Sequence, residues 1–319
     1  IRENGDLLQE FLMKDAVVPE SGKFAALHAA LLRGGIFLYI PKGISAGMFT
    51  YHRRYDRAIN SFSHLLVVLE EGAEASLYID SESVNEKADA FHVGVTEMIV
   101  GRNARLNLVH RQNWADNLVN ISHEKAIVQQ DAVINWSTAS FGSSLTKTYQ
   151  SVDLAGMGAE AWMNGLLFGD ERQHIDLETE QNHLVPNTMS DLLYKGALDA
   201  HGRSVWRGMI RVLPEAQKTN GYQANRNLLL ASTARADSIP GLEIEADDVR
   251  RTHGTTVSTV NEDEVFYAMT RGLPRDEAVR LLVRGFYSPV MERVPLETIR
   301  RILWDTIDSR ISNHSLPTS

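Results

Sequence analysis

The tetrapeptide Gly72-Ala-Glu-Ala75 recurs as Gly158-Ala-Glu-Ala161, and looser copies begin at Gly101, Gln130 and Gly202. Each copy precedes a run in which apolar and polar residues alternate, as in a strand that has one face in a core. The first four copies begin 29, 29 and 28 residues apart, which is typical of stacked repeats. Regular short strands also suit a sandwich or a barrel. Because each copy is a small-residue corner followed by a strand, we favour a mainly β protein built as a stacked β-solenoid.

Apolar residues recur at helical spacing before and after the repeats, in residues 5–34 and again beyond Asn261. Asn261 followed by Glu264 is typical of a helix start, and Pro274 and Pro295 each open a further helix. We divide the chain into an N-terminal helical region with a first strand (1–59), a β-solenoid core (60–260) and a C-terminal helical region (261–319). We expect the N-terminal helices to cap one end of the solenoid. In the helix after Pro274 we expect an apolar stripe of Ala278, Leu281, Leu282, Gly285 and Phe286.

The composition excludes several classes of function. The chain has 319 residues and a formal net charge of −9, which argues against a nucleic-acid groove. It contains no cysteine, so it has no disulfide, no thiolate nucleophile and no sulfur ligand for a metal. It also lacks the common glycine-rich phosphate-binding motifs. No run of eighteen apolar residues and no apolar signal segment is present, and we therefore expect a cytoplasmic protein.

The segment from Pro240 to Gly254 lies where the strand pattern gives way to the helical one. Leu242, Ile244 and Ala246 alternate with acidic residues as in a strand, and a polar run then leads to His253. We expect Gly254 to turn the backbone here. The last rung of a solenoid leaves backbone N–H and C=O groups unpaired, so we predict that a second subunit covers this edge.

His253 is the candidate metal ligand of this segment. A neutral imidazole binds iron or zinc and replaces thiolate at some iron–sulfur clusters. The residue alone leaves the role open, since most isolated histidines are surface or hydrogen-bonded residues.

Longer stretches throughout the chain resemble a known family, the SufB/SufD scaffold proteins of iron–sulfur cluster assembly. The sequences Ala224-Asn-Arg-Asn-Leu228 and Ala246-Asp-Asp-Val249 resemble the SufD branch more than the SufB branch. The resemblance is carried by Lys23-Phe-Ala-Ala-Leu-His28, Gly35-Ile-Phe-Leu-Tyr-Ile-Pro-Lys-Gly43, Pro186-Asn-Thr-Met-Ser190, Lys195-Gly196, the stretch 217–230, Leu242-Glu-Ile-Glu-Ala-Asp-Asp-Val249, Thr252-His-Gly-Thr-Thr256, Phe266-Tyr267, Arg271-Gly272 and Gly285-Phe286.

The resemblance implies a right-handed parallel β-helix and a non-catalytic scaffold role in a SufB–SufC–SufD-type complex. A SufC-like ABC ATPase would bind the C-terminal helices, and a SufB-like, cysteine-containing paralogue, or a second copy of this chain, would pair with the end of the β-helix. A transient iron–sulfur cluster would form at that interface, and the isolated chain would hold no tightly bound cofactor.

The resemblance also implies roles for individual residues. His253 matches the family's cluster-binding histidine, while Arg251 stands where many relatives have cysteine. The interface would include Asp247, Asp248, Arg250, Arg251 and Thr252, and the ATPase would dock on Phe266, Tyr267, Leu282 and Phe286.

Two other functions stay open. One is a secreted-type solenoid enzyme that acts on acidic polysaccharide, with Asp247, Asp248 and Arg251 binding calcium and abstracting a proton. The other is a structural tether for an ABC-type ATPase, in which His253 has no role.

Overall fold

The computed structural model describes residues 5–55, 60–83 and 89–313. Sixteen strands in this part of the chain form two eight-stranded parallel sheets, and consecutive strands alternate between the sheets. Sheet A contains β1 (Gly35–Ile40), β3 (Ser61–Leu69), β5 (Ala90–Val100), β7 (Leu118–Val128), β9 (Leu145–Leu154), β11 (His174–His183), β13 (Arg203–Val212) and β15 (Arg235–Ile244). Sheet B contains β2 (Ser45–Tyr55), β4 (Glu74–Ser83), β6 (Arg105–Trp114), β8 (Val133–Gly142), β10 (Glu160–Gly169), β12 (Met189–Leu198), β14 (Thr219–Leu229) and β16 (Val249–Thr259).

Stacking of the strands follows the sequence repeat. Glu74 pairs with Arg105, Arg105 with Val133 and Val133 with Glu160, so the first four copies of the corner motif introduce successive strands of sheet B. The fifth copy, at Gly202, introduces β13 of sheet A instead. The predicted mainly β fold, a parallel β-solenoid with helical N- and C-terminal regions, is confirmed.

The corners need residues that tolerate a left-handed backbone. Gly158 has φ +75, and a Cβ on it would lie 2.2 Å from Asp131 Oδ1. Its amide donates to Asn187 O on the next rung at 3.1 Å. Glycine therefore permits both the backbone conformation and the close approach of the neighbouring corner.

The core between the sheets has an apolar part and a polar part. Alternate residues of each strand supply the apolar part, for example Leu108, Trp136 and Leu192, which are at most 1% exposed. Burial of each such side chain stabilises the fold by about 1.5–3 kcal/mol. In the polar part, His92 is hydrogen-bonded to Ser63 Oγ at 2.8 Å and to Asn120 Oδ1 at 2.6 Å. His92 is thus paired with polar side chains of the two neighbouring rungs of sheet A.

The N-terminal helices are α1 (Gly5–Phe11) and α2 (Lys23–Leu31), with a 3-10 turn at Pro19–Ser21 between them. Buried His28 of α2 reaches Val93 O at 3.3 Å and His64 Nδ1 at 3.1 Å, both on strands of sheet A. Since His64 and Val93 lie in the sheet, α2 packs on its outer face. The prediction that these helices cap the open end of the solenoid is wrong for α2.

Three helices follow the last strand: α3 (Glu262–Thr270), α4 (Arg275–Met291) and α5 (Glu297–Asn313). Asn261 caps α3 by accepting the amide of Asp263 at 3.0 Å, and Gly272, with φ +94, follows its end. Helices α4 and α5 cover the outer face of sheet B, where their apolar residues form one cluster with side chains such as Phe141, Phe168 and Ala197. In the described part of the chain, no helix combines the length and apolar character that crossing a bilayer requires.

The apolar stripe of α4 differs from the predicted one. Its buried residues are Ala278, Val279, Val283, Tyr287, Val290 and Met291, whereas Leu281 is 56% exposed. Of the predicted stripe, Ala278 is buried and Leu282 and Phe286 are half-buried against the same cluster, so the buried face is shifted toward Tyr287 and leaves Leu281 exposed. The Tyr287 hydroxyl donates to Leu167 O and accepts the amide of Ala197 at 2.8 Å.

Candidate interface at the last rung of the solenoid

The last rung consists of β15 and β16 and the corner 245–248 between them, and we call it the rim. Strand β16 pairs with β14 and is the last strand in the order of sheet B. Every residue from Arg250 to Thr259 is exposed. An edge strand of eleven residues with a free side is a template for pairing with another chain.

Gly254 does not turn the backbone, contrary to the sequence-based prediction. It lies within β16, in register with Ala224 of β14, and nothing lies within 4 Å of a Cβ placed on it. The turn comes earlier, at the corner 245–248. There Asp248 O accepts the amide of Lys218 at 2.6 Å, and the Asp248 amide donates to Gln217 Oε1 at 2.9 Å. The polar run after Asp248 is therefore a strand, and it reads as a loop in the sequence because no opposing rung buries it.

The parallel register separates the predicted interface residues into two sets. His253 pairs with Gln223, which pairs with core residue Leu192, so His253 occupies a core-facing position of sheet B. Arg251 is two residues away and shares that face. Arg250 and Thr252 occupy the opposite face, while Asp247 and Asp248 lie in the corner. The structure thus brings Arg251 and His253 together on one face and separates them from the other four.

Below β16 lies a layer of three buried amides, Gln223, Asn225 and Asn227, which we call the amide layer. Asn227 Nδ2 donates to Asn225 Oδ1 at 2.7 Å, and Gln223 Nε2 donates to Gly241 O at 3.1 Å. Three buried atoms of the layer have no hydrogen-bond partner: Gln223 Oε1, Asn225 Nδ2 and Asn227 Oδ1. Each such buried group costs about 1–3 kcal/mol until a partner satisfies it.

The amide layer was missed at the level of sequence, although the signal was present. Gln223, Asn225 and Asn227 alternate with other residues at the period of a strand. Alternation of amides predicts a polar inner face in the penultimate rung.

The chain's own residues fit a shared metal site and not a complete one. In the parts of the chain that the structure describes, no three histidine, aspartate or glutamate side chains are grouped so as to hold a metal ion. His253 is exposed and supplies one imidazole, and the sequence supplies no thiolate. Iron–sulfur clusters are held mainly by cysteine, so a cluster at this position would need its remaining ligands from another chain.

The four residues predicted to dock an ATPase fall into two pairs. Phe266 and Tyr267 of α3 are 67% and 61% exposed. Leu282 and Phe286 of α4 are half-buried against the cluster that joins the helices to sheet B. Buried Lys195 donates to Phe286 O at 2.5 Å, and burial lowers the pKa of this lysine to about 8. Met269 and Leu281, which were not among the residues predicted to dock the ATPase, are also exposed.

Comparison with known proteins identifies the family. Residues 52–286 match the family model described as SUF system FeS cluster assembly, SufBD core domain. The chain is 29% identical over 302 residues to the iron–sulfur cluster assembly protein SufB of Bacillus subtilis. This match covers 93% of this chain and 64% of that protein. It is 33% identical over 267 residues to an iron–sulfur cluster assembly SufBD family protein of Mycobacterium leprae, which covers 81% of this chain and 66% of that protein.

The matches cover only part of the length of each relative. The chain spans about 64% of the length of the Bacillus relative, and the same share of a Staphylococcus epidermidis SufBD family protein to which it is 30% identical over 303 residues. These relatives are named SufB or SufBD, and the SufD-like branch stays a prediction. The family model covers most of the solenoid, α3 and the larger part of α4. On this match, the chain belongs to the SufBD family of iron–sulfur cluster assembly proteins.

Proposed function

We propose that this chain is a non-catalytic scaffold subunit of a cytoplasmic SufB–SufC–SufD-type complex. An iron–sulfur cluster assembles as transient cargo between its rim and a SufB-like, cysteine-containing paralogue. The observation that carries this proposal is the rim itself, where an open edge strand presents His253 on its core-facing side above an amide layer with unsatisfied atoms. A partner that extends sheet B would pair the free edge and give those atoms hydrogen-bond partners.

At such an interface His253 binds iron through one neutral nitrogen, and the partner supplies the thiolates. Arg251 is on the same face and provides a fixed positive charge that attracts sulfide or a carboxylate of the partner. A homodimer of this chain offers imidazoles and carboxylates but no sulfur ligand. Cluster assembly therefore requires the cysteine-bearing subunit.

We assign α3 as the docking surface for a SufC-like ABC ATPase. Its exposed aromatic residues, Phe266 and Tyr267, lie on the side away from buried Val265. Exposed aromatic side chains on a helix are typical anchors of protein interfaces. ATP hydrolysis takes place on the ATPase in this proposal, and the chain described here transmits the resulting movement.

Co-expression and copurification test the composition of the complex. Tagged chain expressed with an ABC ATPase and a cysteine-bearing SufBD paralogue is expected to retain both. Retention of the ATPase alone supports the tether function. Retention of neither, together with cleavage of an acidic polysaccharide in a calcium-dependent assay, supports the enzyme and contradicts the scaffold.

Cluster formation tests the role of His253. The purified complex is supplied with iron and sulfide, and cluster yield is followed by visible absorption. His253→Ala is expected to lower the yield strongly, whereas the control His52→Ala, which removes an exposed histidine from β2 at the other end of sheet B, leaves it unchanged. Equal yields for wild type and His253→Ala would contradict the ligand role.

A further inference from the structure

Two successive corners of sheet A repeat one another and carry basic residues at matching positions. One corner, Glu171–His174, leads into β11, and the other, Ala200–Arg203, leads into β13. Glu171 and Ala200 both have positive φ, 47 and 48. The amide of His201 donates to Glu171 O at 2.8 Å, and that of Arg203 donates to Gln173 O at 2.9 Å. These bonds hold His201 beside Arg172 and Arg203 beside His174.

A cleft of about 440 Å³ lies at these corners, and all four side chains that line it are basic: Arg172, His174, His201 and Arg203. None of the four side chains has a hydrogen bond or an ion pair in the part of the chain that the structure describes. Other arginines of β13 are paired, Arg207 with Asp176 at 3.1 Å and Arg211 with Glu243 at 3.0 Å. Absence of a partner is therefore a property of the cleft and not of the strand.

Three acidic residues near the cleft in sequence or register form no ion pair with the four lining side chains in the described part of the chain. Glu171 lines a different cavity, beside α5. Asp199 accepts the amide of Ala200 at 2.7 Å, and Asp237 pairs with Arg235 at 2.9 Å. The two arginine charges of the cleft are therefore not paired with any of these three carboxylates.

Arg172 and Arg203 bring two fixed positive charges to neighbouring rungs, which lie about 4.8 Å apart, and each arginine faces one of the two histidines. The protein as a whole carries a net charge of −9, so the cleft is an exception to its overall charge. A bound anion would give the two guanidinium groups charge-assisted hydrogen bonds and would accept N–H groups of the two imidazoles.

We propose that this cleft binds a small anion with two adjacent phosphoryl groups, of the diphosphate type. Two arginines supply planar forks suited to phosphate oxygens, and the two imidazoles supply further N–H donors. The donors are spread over two rungs, about 4.8 Å apart, which suits two phosphoryl groups better than one. The cleft lies at the starts of β11 and β13 and is lined by no residue of the rim, so the proposal is independent of cluster assembly.

Titration calorimetry and phosphorus NMR with inorganic diphosphate test this site on the full chain. Wild type is expected to bind diphosphate more tightly than monophosphate. Arg172→Ser with Arg203→Ser is expected to weaken binding by about tenfold or more, since each arginine contributes a charge-assisted bond. The control Arg211→Ser, on the same strand but paired with Glu243, leaves the affinity unchanged, and circular dichroism confirms that both variants fold.

Three outcomes would overturn the proposal. They are no binding of diphosphate at millimolar concentration, equal affinity of the double variant and wild type, and equal affinity for monophosphate and diphosphate. A poly-glutamate peptide that binds more tightly than diphosphate would reassign the cleft to an acidic protein segment. None of these results would bear on cluster formation at the rim, which is measured separately.

Discussion

One register column of sheet B contains both a dry core and the candidate interface. From β4 to β16 it consists of Leu77, Leu108, Trp136, Met163, Leu192, Gln223 and His253. The first five side chains are at most 2% exposed and belong to one apolar cluster, whereas Gln223 is a buried amide and His253 is exposed. Backbone pairing is the same throughout. The difference in burial shows that the middle of the column stabilises the fold, whereas its last position is free to contact another chain.

Truncation of the two parts of the column gives the sharpest contrast. Leu192→Ala removes a fully buried side chain and is expected to destabilise the protein by about 2–5 kcal/mol, because the packed rungs above and below cannot fill the cavity. His253→Ala is expected to change stability by less than about 1 kcal/mol. Urea unfolding followed by circular dichroism measures both. Similar losses for the two variants would break the comparison.

The next largest change in stability is expected on the outer face of sheet B, which α4 and α5 cover. Tyr287→Phe removes the hydroxyl that bridges Leu167 O and the buried amide of Ala197. Because both backbone groups then lack this partner, a loss of about 1–3 kcal/mol is expected. Ser288→Ala on the same helix, whose hydroxyl reaches exposed Glu292 at 3.1 Å, serves as the control and is expected to cost less. If Tyr287→Phe does not lower the free energy of unfolding, α4 is held on the sheet by its apolar residues alone.

A buried histidine on the inner face of the rungs is also expected to make the stability of the protein depend on pH. Burial lowers the pKa of His183 from 6.5 to about 3. Between these pH values the unfolded chain binds a proton that the folded chain does not, so stability is present above pH 6.5 and falls as the pH decreases. The slope is about 1.4 kcal/mol per pH unit for this histidine.

His183→Asn is expected to flatten the dependence of the urea midpoint on pH by the contribution of one proton. Thr188→Val is the control, because it removes the hydroxyl 2.7 Å from Nδ1 but keeps the titrating group. The control is expected to lower stability and to retain the slope. An unchanged slope in His183→Asn would contradict the assignment of a neutral, buried imidazole.

The smallest change in stability is expected on α3. Phe266→Asp replaces a side chain that is 67% exposed, so the free energy of unfolding should change by no more than about 0.5 kcal/mol. Capture of the ABC ATPase should nevertheless be reduced, as measured by copurification. Phe286→Asp is the comparison, since its half-buried ring packs near Lys195 and its replacement is expected to reduce stability as well. Full capture by Phe266→Asp would move the docking surface away from α3.

The sequence predicted the stacking of rungs well, because the solenoid repeats a short local signal. Corner motifs at Gly72, Gly101, Gln130 and Gly158 mark successive strands of one sheet, and the pattern could be read without knowing any long-range contact. The change from strands to helices near Asn261 was also predicted correctly, since β16 ends at Thr259 and α3 begins at Glu262.

Features that depend on what faces a residue were harder to predict. Gly254 looked like a turn because its polar neighbours resemble a loop, but an exposed edge strand has the same composition. The choice of helix stripe in α4 depends on the sheet beneath it. At the candidate site, the position of His253 at an edge was expected, whereas the amide layer under it emerged only from the register with β14.

The most direct test of the account asks whether this chain contributes a nitrogen ligand to the cluster. The chain is labelled with ¹⁵N-histidine, combined with unlabelled ATPase and cysteine-bearing paralogue, and loaded with iron and sulfide. Pulsed electron paramagnetic resonance of the reduced cluster is expected to show ¹⁵N coupling in wild type and in His52→Ala, and none in His253→Ala. Coupling that persists in His253→Ala, or a stable cluster on the isolated chain, would contradict the account.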